Sequence, residues 1–128
     1  MGVKIGMSTS RFRDLKAWQL GMDLAEHIYL ITDSFPKSET YGLTSQIRRA
    51  AVSIPSNLAE GCGRDSTKEF LHFIAISIGS ICELETQLLL SHRLKYTKPE
   101  NFEPILNLLT ETRRTIHGLQ KYLRTKVE

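Results

Sequence analysis

The chain has 128 residues, 41% of them hydrophobic and 24% charged, which excludes a disordered or fibrous protein and fits one globular domain with a sizeable core. The 17 Lys and Arg residues only slightly outnumber the 14 Asp and Glu residues, so the charge permits nucleic-acid binding without indicating it. Cys62 and Cys82 have no CxxC spacing, which favours reduced thiols in the cytoplasm over a disulfide framework.

The N-terminal segment and the most apolar run of the chain show whether the sequence contains a signal peptide or a membrane-spanning segment. Residues 1–11 lack the apolar stretch of a signal peptide, so we expect a flexible leader there and one helical domain over residues 12–126. The run from Phe70 to Cys82 is too short to span a bilayer and contains polar side chains. We therefore expect a cytoplasmic protein with no membrane partner.

The first predicted helix runs from Asp14, a good N-cap residue, to about Ser34, where Phe35-Pro36 stops it. Its apolar residues fall into two stripes that lie on nearly opposite sides of the helix. One stripe contains Leu15, Trp18, Met22, Ala25 and Tyr29, and the other contains Leu20, Leu24, Ile28 and Ile31.

The second predicted helix starts between Glu39 and Thr44 and ends at Gly61-Cys62-Gly63. It has one apolar face, made of Leu43, Ile47, Ala50, Ile54 and Leu58.

The third predicted helix opens at Ser66 with Glu69 three residues later, the spacing of a capping box, and ends near Arg93. A wide apolar arc follows, with Ile76 and Leu90 on its far side. The arc contains Phe70, Phe73, Ile74, Ile78, Ile81, Leu84 and Leu88.

The fourth predicted helix starts at Thr97 to Glu100, again with capping-box spacing and with Pro99 in the first turn. Its apolar residues follow a heptad rhythm up to Leu123. Because the connections are short, the four segments predict an all-α, antiparallel up-down four-helix bundle. The first and third helices are apolar on more than one side, so a second buried surface, most simply a subunit interface, predicts a homo-oligomer.

Polar residues recur at helical spacing beside the apolar faces. Glu85 lies within the apolar arc of the third helix and needs a partner, for which we expect Arg49. The main interpretation is a structural polar network that fixes helix register or subunit contacts. Two alternatives are an ordinary solvated face and a ligand pocket or catalytic pair drawn from Glu60, Glu83 and Glu85. The network residues are Gln46, Arg49, Ser53, Asn57, Glu60, Glu83, Glu85 and Gln87.

Sites for metals and covalent catalysis are not indicated. The four histidines have no HxxxH, HExxH or Cys-His spacing, and Cys62 has no histidine near it in the sequence. We expect no metal, no cofactor and no catalytic residue.

The end of the fourth helix is basic, and Arg113, His117, Lys121 and Arg124 share one face, with Arg114 beside them. One interpretation is that these cations only complement the helix dipole. The other is a phosphate-binding stripe, repeated in each subunit of an oligomer, to which Arg11, Arg13 and Lys16 would add.

Several motifs together resemble a known family. The chain is similar over about Phe12 to Arg124 to the four-helix bundle proteins encoded by intervening sequences in bacterial large-subunit ribosomal RNA genes, whose relatives include the accessory protein of diversity-generating retroelements. The resemblance lies in Phe12 through Trp18, Tyr41-Gly42-Leu43, Gln46 with Arg48-Arg49-Ala50-Ala51, Asn57-Leu58-Ala59-Glu60-Gly61, and Glu83-Leu84-Glu85-Thr86-Gln87-Leu88.

The resemblance implies a bacterial protein that assembles into a homopentamer of antiparallel bundles and has no recognised enzymatic activity. The retroelement relative binds nucleic acid and a reverse transcriptase. We therefore expect a non-enzymatic homo-oligomer that binds RNA, or a nucleic-acid-processing protein, through basic surfaces. The alternative is an assembly or adaptor scaffold that binds only protein.

Overall fold

The computed structural model describes residues 9–127, with side chains from Arg11 onward. Over these residues the protein is all-α and contains no strand, which confirms the predicted class and the four main helices. The helices are α1, Lys16–Thr32; α2, Leu43–Cys62; α3, Thr67–Arg93; and α4, Pro99–Arg124. Two short 3-10 helices, Thr9–Asp14 and Lys37–Glu39, precede α1 and α2. Most of the predicted leader, residues 1–8, lies outside the described residues.

The start of α1 differs from the prediction. Asp14 ends the first 3-10 helix, and the N-cap position belongs to Leu15, which has an extended backbone and no side-chain cap. The segment before α1 is held by other contacts: Phe12 packs edge-on against Trp18, with ring centroids 5.3 Å apart, and Gln19 Nε2 donates to the Arg13 carbonyl at 2.9 Å. Because Trp18 and Gln19 of α1 hold the preceding segment in this way, the α-helix begins after Asp14. The predicted Asp14 cap is therefore wrong.

Of the two predicted capping boxes, one is confirmed and one is wrong. At the start of α3 the Glu69 backbone N–H donates to Ser66 Oγ at 3.1 Å, as expected. At the start of α4 the N-cap residue is Lys98, which has no side-chain cap. The Thr97 hydroxyl instead hydrogen-bonds His92 Nδ1 at 2.9 Å.

The core lies between the four helices and is made mainly of aliphatic side chains, with a few phenylalanine rings. Each fully buried leucine or isoleucine stabilises the fold by about 1.5–3 kcal/mol relative to an exposed one. The largest fully buried side chains are Leu24, Ile28, Ile47, Ile54, Leu58, Phe70, Ile74, Ile81, Leu84, Leu88, Leu109 and Ile116.

Two glycines let helices approach closely. A Cβ on Gly21 would lie 3.4 Å from the Pro55 ring, so α1 packs tightly on α2 there. A Cβ on Gly61 would lie 2.7 Å from Phe73 Cβ and 2.9 Å from Phe70 Cδ1, closer than real Cβ atoms approach. Gly61 is therefore required for the contact between the last turn of α2 and the first turns of α3.

The helix α3 is also long and apolar enough to cross a membrane, judged by length and composition alone. A core helix passes the same test, and in this structure Phe70, Ile74, Ile81 and Leu84 are buried within the bundle. The absence of a membrane partner stays a prediction.

Candidate functional site

A polar groove of about 480 Å³ runs between α2 and α3. Its floor is ordered by hydrogen bonds: the Ser53 and Ser80 hydroxyls lie 2.8 Å apart, and Asn57 Nδ2 donates to Ser53 Oγ at 2.9 Å. Ser53 and Asn57 come from the predicted polar stripe of α2, and Ser80 is the polar residue of α3 that meets them. The groove is lined by Gln46, Arg49, Ala50, Ser53 and Glu83.

The expected pair between Glu85 and Arg49 is wrong. Glu85 accepts a hydrogen bond from Arg113 of α4, and both side chains are about one-third exposed. Helical angle placed Glu85 within the apolar arc, whereas the structure places it at the rim of the core. The angle also could not tell which neighbouring helix lies beside it. Arg49 instead lines the groove together with Glu83.

The other network residues divide between the groove and its surroundings. Glu60 lies 3.9 Å from Arg64 in an exposed pair, which contributes little. The Gln87 side chain is buried, and its Oε1 has no hydrogen-bond partner among the described residues. Within residues 11–127 neither Arg49 nor Glu83 forms an ion pair, so the groove presents one cation and one anion without partners.

The basic face of α4, defined as Arg114, His117, Lys121 and Arg124, is exposed. In the described part of the chain none of these residues forms an ion pair. Arg113, which the sequence grouped with them, is occupied by Glu85 and differs from the rest. The cations of the basic face are therefore available to an external anion.

Sequence reasoning missed an aromatic residue on this part of α4. Tyr122 is 50% exposed, and the Lys126 ammonium lies 5.3 Å from its ring centroid. An exposed ring beside a cation offers a surface on which a base can stack. Tyr122 follows Lys121 in the sequence, but at about 100° per residue it lies on a neighbouring side of α4 and outside the basic face.

An apolar groove of about 410 Å³ lies between α1 and α2. Met22 and Tyr29, which belong to the first predicted stripe of α1, are each 45% exposed there. The groove is lined by Trp18, Met22, Ala25, Glu26, Tyr29, Val52, Pro55, Ser56 and Ala59.

Tyr96, a titratable residue outside the basic face, has a shifted pKa. The Tyr96 hydroxyl donates to Glu39 Oε2 at 2.9 Å, and this hydrogen bond, with partial burial and the Glu39 charge, raises the pKa of Tyr96. Among residues 9–127 no cluster of three or more His, Cys, Asp or Glu side chains could hold a metal ion. The predictions of no metal and no cofactor stay predictions.

Comparisons with known proteins bear out the predicted resemblance. A crystal structure of a protein of unknown function from the S23 ribosomal protein family, from Bacteroides thetaiotaomicron, is similar with a TM-score of 0.75 and 24% sequence identity, covering 82% of this chain and 98% of that one. At this identity the likeness shows the fold alone. A comparison with curated proteins finds no match. The sequence pattern of the 23S rRNA-intervening sequence protein family matches residues 13–118, most of the chain, and the protein therefore belongs to that family.

Proposed function

We propose that the protein is a non-enzymatic, cytoplasmic homo-oligomer of up-down antiparallel four-helix bundles that binds RNA through the basic face of α4. The observation that carries this proposal is the set of exposed cations on that face, which have no ion-pair partners in the described chain. Lys and Arg side chains in such a row bind phosphates and release their counterions. Exposed Tyr122 lies beside Lys126 on a neighbouring side of α4, outside this face, and is not part of the proposed contact.

The antiparallel arrangement is supported by the order of contacts between consecutive helices. Later residues of one helix lie against earlier residues of the next. The pairs are Gly21 with Pro55 and Thr32 with Arg48, then Ser53 with Ser80 and Gly61 with Phe73, then Glu85 with Arg113 and His92 with Phe102.

The oligomer is supported by apolar side chains that one copy leaves in water. A closed ring needs two different patches on each copy, because its interfaces join head to tail. The chain offers two such patches: the apolar groove between α1 and α2, and an open side of α3, which we define as Ile76, Gly79, Glu83 and Leu90, all exposed. The resemblance described above makes five the expected number of copies.

Assembly would strengthen RNA binding, because each copy contributes one basic face. A net charge of +3 per chain is modest, but several faces arranged around a ring multiply the attraction for one polyanion. The description of the family as 23S rRNA-intervening sequence proteins makes structured ribosomal RNA the first probe to test.

The test is salt-dependent binding of structured RNA, followed by fluorescence anisotropy. Replacement of Arg114, Lys121 and Arg124 by alanine should make the slope of log affinity against log salt shallower by about 3, at about 0.9 per lost phosphate contact. Arg113 is left in place because it holds Glu85. The control replaces Lys37, Arg93 and Lys98, which are exposed and lie outside the basic face, and so changes the net charge equally. Equal slopes for the two variants would refute the role of the basic face.

A second candidate function, a scaffold that binds only protein, is favoured by the apolar groove between α1 and α2. This function requires no nucleic acid. If the intact oligomer fails to bind RNA at about 50 mM salt, where phosphate contacts are strong, the scaffold becomes the better proposal.

A further inference from the structure

A second group of cations surrounds a recess of about 430 Å³ where α2 connects to α3. The recess is lined by Arg64, Lys68, Glu69, His72 and Phe73. Two of these side chains are cations, a third can become one, and one is an aromatic ring. None of the sites described above uses this combination.

Close packing of α2 and α3 holds the aromatic wall of the recess in place. The Gly61 backbone lies so near Phe73 that an added Cβ would approach Phe73 Cβ to 2.7 Å. The Arg64 guanidinium carbon lies 4.8 Å from the Phe73 ring centroid, and the His72 ring stands edge-on to Phe73 at 5.4 Å. Arg64 and Phe73 thus form a stacked platform, and Arg64 remains 45% exposed.

The recess carries little net charge, because Arg64 and Lys68 are offset by Glu69 in its lining and by Glu60 beside Arg64, so individual contacts and not a strong positive field would hold a phosphate there. Glu69 accepts hydrogen bonds at the start of α3, with its carboxylate 3.3 Å from Ser66 Oγ. Glu60 approaches Arg64 only to 3.9 Å, in an exposed pair that a phosphate can replace. Lys68 forms no ion pair within the described chain, and it lies one helical turn before His72 on the same side of α3.

We infer that this recess binds one unpaired nucleotide of RNA, with the base stacked on the Arg64–Phe73 platform and the phosphate near Lys68 and His72. Planar guanidinium groups and aromatic rings stack bases of any sequence, whereas a base within a duplex would first have to unstack and unpair, which costs free energy. The volume is that of a small-ligand site, about 300–1,000 Å³, and is too small for a duplex. The inference rests on the proposed RNA binding and adds a preference for loops, bulges or free ends.

The position of the recess suits this role. In the antiparallel arrangement the end of α4 lies at the same end of the bundle as the start of α3, because His92 contacts Phe102 and Glu85 contacts Arg113. The recess and the end of the basic face therefore lie at the same end of the bundle.

The test compares three RNAs by fluorescence anisotropy: a hairpin, a blunt duplex with the same stem, and a short single strand. Arg64→Lys keeps the charge but removes the planar group, and Phe73→Leu keeps the apolar bulk but removes the ring. Each should weaken binding of the hairpin and single strand by about 5- to 100-fold, the usual effect of losing one stacked base, and leave the blunt duplex unchanged. Lys37→Ala is the surface control, and circular dichroism checks that Phe73→Leu remains folded.

The outcomes separate the two proposals. Wild-type binding of hairpin and blunt duplex with equal affinity, or hairpin binding unaffected by Arg64→Lys, overturns the nucleotide site and leaves the basic face of α4 standing. Hairpin binding that depends on Arg64 but not on Arg114, Lys121 and Arg124 supports the recess and refutes the α4 proposal. Dissociation of the oligomer by Arg64→Lys, measured by sedimentation, would show that a second copy occupies the recess and would also overturn the inference.

Discussion

The two sides of α3 have different surroundings. On its packed side Phe70, Ile74 and Ile81 are buried, and at the edge of that side Glu85 is paired with Arg113. On its open side Ile76 and Leu90 are exposed, and Glu83 has no ion-pair partner in the described chain. The contacts on the packed side stabilise the fold of a single copy. The open side carries apolar and charged groups that one copy does not use, which is the pattern expected of a surface that meets another molecule.

The largest expected effect is on assembly. Ile76→Lys combined with Leu90→Lys places two charges on the open side and should weaken self-association by about 100-fold or more, because unpaired charges are costly to bury in an interface. Analytical ultracentrifugation at micromolar concentration measures this effect. Asn101→Lys with Asn107→Lys on exposed positions of α4 adds the same charge and should leave the assembly intact. If both double variants behave as the wild type, the open side is not an interface.

A smaller effect is expected when the packed side loses its ion pair. Arg113→Ala leaves the Glu85 carboxylate without its partner, and the free energy of unfolding should fall by about 2 kcal/mol, less than for a fully buried pair because both groups are one-third exposed. Arg49→Ala removes an exposed, unpaired cation and should change it by less than about 0.5 kcal/mol. Urea denaturation at one fixed protein concentration compares them. Equal losses would mean that Arg49 also has a structural partner, such as a group on a second copy.

The smallest effects have opposite signs at two helical glycines. Gly61→Ala forces a Cβ against Phe73 and should destabilise the fold by about 1–2 kcal/mol after the gain in helix propensity is subtracted. Gly79→Ala, on the open side, adds a Cβ with nothing within 4 Å and should stabilise the fold by about 0.5–1 kcal/mol. Thermal unfolding followed by circular dichroism gives both values. A loss of stability at Gly79 would indicate that another copy lies against this position.

The helices themselves were predictable because each apolar pattern extends over many residues. Leu20, Leu24 and Ile28 recur at helical spacing and are all buried. This pattern identifies the buried face of α1 without any knowledge of the neighbouring helices. Short motifs were less dependable, since Thr97 had a competing partner in His92. A capping motif depends on the hydrogen bonds of two or three atoms, so one competing tertiary hydrogen bond is enough to prevent it.

The candidate sites were less predictable than the fold, because they depend on which helices are neighbours. The sequence indicated that Glu85 needs a cation but pointed to Arg49, whereas the structure pairs it with Arg113. The recess at the α2–α3 connection was missed, although Arg64 and Phe73 lie only nine positions apart. Their contact depends on the close approach of α2 and α3, which Gly61 permits, and this packing is not visible in the sequence.

The two cysteines differ in burial: Cys62 lies in the core, whereas Cys82 is exposed on α3, and neither is in a disulfide. A thiol-reactive dye would therefore attach mainly at Cys82, without any engineered substitution. Because Cys82 lies one turn from Gly79, at the edge of the proposed interface, its rate of labelling should fall if copies assemble through the open side of α3.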